Sequence, residues 1–304
     1  MAGKTKARKP TVAIIGAGRL ATVLAVALHH AGFMLTEIVA RDSARSRRHA
    51  RALAAKVGAH AVTAARSAAL DATLLWLCVP DREIRSAASA LALRLGAGAA
   101  VHRKGSVQKK VRFAFHSSGA QLSRELEPLR KAGASIASVH PLMTFVAGAH
   151  PSLTGVPFAL EGDDAAKRVA RRIVRELGGD SFSLPAARKA AYHAWATMTS
   201  PLLLAFLVSL EEAARLAGVT RRDARRKSLP IVKQTLANYS RLGPAQSFSG
   251  PLVRGDAETV AKHLAVFKNH PGVHRVYVAL ARAALRGLPV KNRDGLQRLL
   301  RSTG

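Results

Sequence analysis

The sequence predicts an α/β fold, a doubly wound parallel sheet over residues 11–184, followed by an all-α C-terminal domain over residues 185–304. Three observations carry this reading. Short apolar, β-rich runs alternate with helical stretches from Thr11 onward, the pattern of parallel strands joined by helices on both faces. The first run, Thr11-Val12-Ala13-Ile14-Ile15, leads straight into Gly16-Ala17-Gly18 and a helix. After Pro185 no convincing strand remains, and helical periodicity takes over.

The elements follow in order. A helix runs from Arg19 to about Ala31, where Gly32 stops it. Leu35–Ala40 reads as a second strand, and Ser43 caps a helix reaching about Val57. Ala61–Thr63 is a weak third strand, and Thr73–Val79 is a buried fourth. Pro80-Asp81 opens the next helix, with Asp81 as its N-cap. Val111–Phe115, Ser135–Val139, Val156–Leu160 and Asp180–Leu184 are further strands, with a helix over Asp164–Leu177. In the helical domain, breaks are expected at Gly218, Pro230, Gly243 and Gly255. Ala190–Leu210 contains no Lys, Arg, Asp or Glu and approaches the length of a membrane span. His193, Thr197, Thr199, Ser200 and Pro201 inside it, and Glu211-Glu212 ending it, favour instead a helix buried between domains or subunits.

Composition narrows the function classes. The chain has 304 residues, 48% hydrophobic, enough for a substantial core. The single cysteine, Cys78, excludes a disulfide framework and a multi-cysteine zinc site and suits a reducing compartment. Residues 1–10 carry Lys4, Lys6, Arg8 and Lys9 without the apolar stretch of a secretory signal, so they read as a basic disordered tail. The expected location is the cytoplasm, with no membrane. Lys and Arg number 48 against 18 Asp and Glu, a formal charge of +30, which favours anionic partners. The cations are spread, as in Arg45, Arg47 and Arg48; Lys109 and Lys110; Arg171 and Arg172; Arg221, Arg222, Arg225 and Arg226. That distribution reads as solvated helix faces, and 5% aromatics argue against a platform for stacking nucleic-acid bases. Nucleic-acid binding is therefore the weaker reading. The 12 histidines form no cluster with metal-ligand spacing, so no metal is expected.

Gly16-Ala17-Gly18-Arg19-Leu20-Ala21 fits G-x-G-x-x-[G/A] between a strand and a helix. Gly16 permits the tight turn, Gly18 admits a pyrophosphate to the backbone, and Ala21 lets the helix pack close. The helix start favours the phosphate charge. At the end of the second strand stand Arg41, Asp42, Ser43 and Arg45. Arg41 and Ser43 suit the 2′-phosphate of NADP; Asp42, one position on, would instead serve NAD. Val79-Pro80 follows the fourth strand, where ligands of doubly wound sheets sit.

His116-Ser117-Ser118 and His140 follow the next two strands and are candidates to orient a small carbonyl or carboxylate compound, Ser117 beside the nicotinamide. Lys189 and His193 lie one helical turn apart, on one face. Either suits proton donation or oxyanion stabilisation, with Ser200 further along that face. Arg254, in Gly250-Pro251-Leu252-Val253-Arg254-Gly255-Asp256, is a candidate anchor for an anionic substrate, and Asp256 a candidate N-cap.

The order G-A-G, V-P-D, H-S-S-G-A, H-P-L-x-T-F, K-x-x-Y-H and G-P-x-x-R-G-D resembles Rossmann-like proteins with a C-terminal DUF2520 domain. Those proteins group with ketopantoate reductase, pyrroline-5-carboxylate reductase and F420-dependent NADP oxidoreductase. The resemblance runs from about Thr11 to Arg286. It implies a Rossmann-type NAD(P)-binding domain, a helical domain that forms a homodimer, and an oxidoreductase. The expected activity is NADPH-linked reduction of a small keto acid or imine in a cleft between the domains. A non-catalytic nucleotide-sensing protein on the same fold is the alternative. Two departures stand out: Ser200 where the family often has Asn, and Met143 where it often has Gln. Where the related reductases use a Lys-x-x-x-Asn pair, this chain has Lys189 and His193.

Overall fold

The computed structural model describes residues 9–63, 70–100 and 111–301, with residues 97–100 described by backbone alone. Strands and helices alternate as β1 (Val12–Ile15), α1 (Arg19–His30), β2 (Leu35–Ala40), α2 (Ala44–Val57), β3 (His60–Thr63), β4 (Leu74–Leu77), α3 (Ile84–Ala100), β5 (Phe113–His116), α4 (Glu127–Lys131), β6 (Ser135–Pro141), β7 (Pro157–Gly162), α5 (Asp164–Glu176) and β8 (Asp180–Ser183). The expected strands are present, with ends shifted by a few residues. They form one sheet of order β3-β2-β1-β4-β5-β6-β7-β8. The order reverses between β1 and β4, which opens a crevice at their carboxyl ends.

The expectation of a parallel sheet needs one correction, because β6 and β7 pair antiparallel. Residues 142–156 between them hold no helix, and a parallel return needs a crossover of a dozen or more residues that packs on the sheet. β1 and β4 are buried throughout, so the sheet is covered on both faces. One face packs against Ala21, Ala25 and Leu28 of α1 and Ala170 and Val174 of α5. The other packs against Ile84, Ala88 and Leu91 of α3 and Leu129 of α4.

The chain divides into two compact units, Met1–Ala196 and Thr197–Gly304. Helix α6 (Lys189–Thr197) ends the first. In the second, a π-turn at Met198–Leu202 precedes α7 (Leu203–Leu216), α8 (Arg221–Ser247), α9 (Pro251–Arg254), α10 (Ala257–Phe267), α11 (Pro271–Gly287) and α12 (Arg293–Arg301). Pro201 lies inside the π-turn and has no N–H to continue the regular ladder. Val260, Leu264, Val278, Ala281, Leu285, Leu296 and Leu300 make this unit's core.

Several local expectations change. Pro230 does not break its helix; α8 runs through it and departs from helical geometry only at Gly243, φ 76°. Asp81 is not an N-cap: Pro80 takes that position for the short turn Asp81–Glu83, with no side-chain bond. Ser43 and Asp256 do cap, accepting from Ser46 N–H at 3.3 Å and Thr259 N–H at 2.9 Å. Lys9, placed in the basic tail, pairs with Glu176, donates to the Ala31 carbonyl and lies over the Phe33 ring. The rest of that tail, residues 1–8, and Lys109 and Lys110 lie outside the described residues. The helical run Ala186–Leu216 is long and apolar enough to cross a membrane, and its most apolar window holds no buried residue. Within the chain Tyr192 is buried, and the rest of Ala190–Leu210 is half-buried or exposed.

Candidate active site

Gly16 begins the first turn with φ +115°, and a Cβ there would sit 2.4 Å from the Cys78 carbonyl oxygen. Only glycine meets both constraints. Gly18 is the N-cap of α1 without a side-chain cap, and nothing lies within 4 Å of where its Cβ would be. Gly18 therefore leaves room beside the uncapped start of α1, as a diphosphate site requires.

That turn borders a cavity of about 1000 Å³ inside the first unit. Gly16, Ala17, Gly18 and Arg19 line one end, and Val79 and Pro80 lie beside them. Arg41, Ser43, Arg45, His49 and Lys56 line the other part. Arg45, His49, Ala52 and Lys56 come from one face of α2, at helical spacing. Asp42 does not line the cavity and is paired with Arg47. Glu83 does line it, and holds Arg41 at 3.2 Å. The loop Val146–His150 also lines the cavity, and Arg19 donates to the neighbouring Phe145 carbonyl at 3.5 Å. Leu20 and Ser117, expected beside the cofactor, are not on the cavity wall. Ser117 Oγ instead accepts from the Trp76 indole N–H at 2.9 Å and bonds the Cys78 thiol, whose burial pushes its pKa up to about 12.

A second polar group gathers around the end of β6 and the start of α6. Lys189 is 2% exposed and donates to Ser138 Oγ, which in turn donates to the Ser118 carbonyl at 3.1 Å. Burial brings the Lys189 ammonium down to about 8, with Glu161 and Asp81 pulling the other way. Glu161 is anchored by the Ser123 N–H at 2.7 Å and hydroxyl at 2.8 Å. His140 Nδ1 meets the Tyr192 hydroxyl at 2.6 Å. Burial, then the Lys189 charge, lower His140 to about 4. Gly119 closes the group: a Cβ there would lie 2.8 Å from both His140 Nε2 and His193 Cδ2. Both rings therefore pack against the bare glycine.

His116 has a different setting from the one expected. It is fully buried, its Nδ1 accepts from Ser118 N–H at 3.1 Å, and its Nε2 faces the Leu122 carbonyl at 3.0 Å. Both ring nitrogens are thus committed to backbone, and burial holds the ring neutral, at about 4. Ser118 Oγ likewise accepts from Ala120 and Gln121 N–H, shaping its own loop. Lys189, His140 and His193 come together; Ser200 and exposed Arg254 lie in the second unit, in the π-turn and at the end of α9. Sequence reading missed His49, Lys56, Ser138 and Tyr192. The α2 pair carried a signal in its spacing from Arg45, and Tyr192 one in the K-x-x-Y-H motif; Ser138 carried none, since only strand register brings it in. Among the described residues no group of three or more His, Cys, Asp or Glu is placed to hold a metal.

Comparison with known proteins gives the same architecture. No curated protein matches the sequence. Protein TM1727 of Thermotoga maritima superposes with TM-score 0.67 at 23% identity, over 96% of this chain and 98% of that one. A proposed NADP oxidoreductase of Bacteroides fragilis gives 0.67 at 20% identity, over 90% and 97%. An imine reductase of Myxococcus stipitatus solved with NADP+ gives 0.60 at 16% identity, over 96% and 100%. At such identities the likeness shows the fold. Residues 2–141 match the Rossmann-like domain profile, and residues 156–284 match the domain of unknown function DUF2520. The chain joins a Rossmann-like domain to a C-terminal DUF2520 domain.

Proposed function

We propose that this chain is an NADPH-dependent reductase of a small anionic keto acid or imine. The observation that carries the reading is one cavity lined by both the bare glycine turn and the cations Arg41, Arg45 and Lys56, with Asp42 turned to Arg47. Gly16, Ala17, Gly18 and Arg19 would hold the pyrophosphate. Arg41, Ser43, Arg45 and Lys56 would hold the 2′-phosphate, which a charge-assisted fork recognises well. When bound, NADPH supplies a hydride. Lys189 then supplies the proton that the reduced oxygen or nitrogen takes up, Ser138 orients it, and His140 and His193 line the approach. His116 and Ser118 act by shaping the loop that carries Gly119. The likeness to an imine reductase solved with NADP+ supports this reading.

The test is binding of NADPH and NADH to the purified protein. NADPH is expected to bind at least tenfold tighter, and Arg41→Ala combined with Arg45→Ala to bring the two within about threefold, the loss of roughly one or two charge-assisted contacts. Equal affinities in the wild type would remove the NADPH assignment. Oxidation of NADPH is then followed across 2-keto acids and cyclic imines; tight binding with no turnover would instead favour a nucleotide sensor.

Two further properties belong to this proposal. The exposed apolar face of the helical unit is covered by a second copy of the chain, making a homodimer, and the protein resides in the cytoplasm.

A further inference from the structure

Tyr192 has no place in the reading above, yet it is 5% exposed and its hydroxyl lies 2.6 Å from His140 Nδ1. Among the described residues that nitrogen is the hydroxyl's one hydrogen-bond partner. The phenol is neutral, since burial raises its pKa to about 12, so its O–H needs an acceptor. Only an unprotonated Nδ1 provides one; a proton on Nδ1 would leave the buried O–H unpaired, at a cost of about 1–3 kcal/mol. The His140 proton must then sit on Nε2, the nitrogen turned towards Gly119 and His193. Neighbouring rings fix the Tyr192 side chain in place. It packs edge-on against His140 at 5.5 Å, Phe182 at 6.0 Å and Trp195 at 6.0 Å.

We infer that Tyr192 is a positioning residue, which fixes His140 in the Nε2–H tautomer so that the imidazole presents a hydrogen-bond donor beside Lys189. On the proposed function, on which this rests, that donor receives the substrate's oxygen or nitrogen while Lys189 delivers the proton. A tautomer locked in advance needs no reorganisation when charge develops.

The tautomer is readable without cofactor, substrate or turnover. Nitrogen-15 histidine spectra of the full chain are recorded at neutral pH, with the His140 signals identified by their loss in His140→Gln. The wild type is expected to show a pyrrole-type Nε2 and a pyridine-type Nδ1. In Tyr192→Phe both tautomers are expected to appear, while NADPH affinity stays within twofold. A pyrrole-type Nδ1 in the wild type overturns the inference, and so does an unchanged Nε2–H tautomer in the folded variant. Should Tyr192→Phe fail to fold, the wild-type spectrum still decides the tautomer, and Tyr192→Leu, which has no side-chain donor, takes its place. A correct tautomer with no NADPH binding would leave this inference standing and sink the proposed function alone.

Discussion

Lys189 donates to Ser138 Oγ, and this one bond ties the first residue of α6 to β6 while both groups are buried. A proton donor must carry its proton. With Lys189 lowered to about 8, kcat/KM for reduction at saturating NADPH is expected to be level below that pH and to fall about tenfold per unit above it. Ser138→Ala removes an acceptor that favours the ammonium, so the alkaline limb should move to lower pH. A limb that stays fixed in Ser138→Ala would show that another group titrates.

The same burial makes Lys189 a stability liability. Its folded-state pKa lies below its ordinary value, so the unfolded chain binds more protons between about pH 8 and 10.5 and stability rises with pH across that window. Below it the amine is charged in both states, and the net cost of holding that charge buried is on the order of 3 kcal/mol. Lys189→Met is expected to raise thermal stability at pH 7 by about 1–2 kcal/mol, or several degrees, and to abolish turnover. Thermal unfolding across pH 7–10 checks both the gain and its disappearance as the wild-type lysine loses its proton.

The two glycines of the first turn separate fold from ligand. Gly16→Ala puts a methyl 2.4 Å from the Cys78 carbonyl at φ +115°, and should cost several kcal/mol, on the order of 2–4. Gly18→Ala meets nothing within 4 Å and keeps an ordinary φ of −80°. It should melt like the wild type yet bind NADPH at least tenfold more weakly, because its methyl occupies the space left for the diphosphate. Calorimetric titration beside a melting curve distinguishes the two. Full NADPH affinity in Gly18→Ala would place the pyrophosphate elsewhere.

These contrasts show what a sequence can carry. The glycine turn, Arg41, Ser43 and Pro80 were legible because their geometry is local: a strand end, a tight turn and a helix start lie within a few residues. The antiparallel step from β6 to β7 turns on a connection without a helix, which the regular alternation around it masks. The bond of Ser117 to Trp76 was not legible, because that partner stands 41 residues away across neighbouring strands. Ser138 could not be singled out at all, since any serine in a buried strand has the same local signature until α6 brings a lysine to it. His116 was legible as a histidine at a strand end, but not as one whose two nitrogens are taken by backbone.

The helical unit exposes apolar side chains on two of its helices. Leu204 and Val208 of α7, one turn apart, are 62% and 55% exposed, and on α8 Ile231, Leu236 and Tyr239 are at least half exposed. Large contiguous apolar patches on a soluble surface mark interfaces. If a second copy covers this one, sedimentation equilibrium should show a dimer at micromolar concentration, and Leu204→Lys with Ile231→Lys should shift it to monomer while leaving NADPH affinity within twofold. Two buried charges facing an apolar partner cost several kcal/mol, about a thousandfold in dimer affinity or more. A wild type that sediments as a monomer and partitions onto lipid vesicles would show that this surface serves a membrane instead.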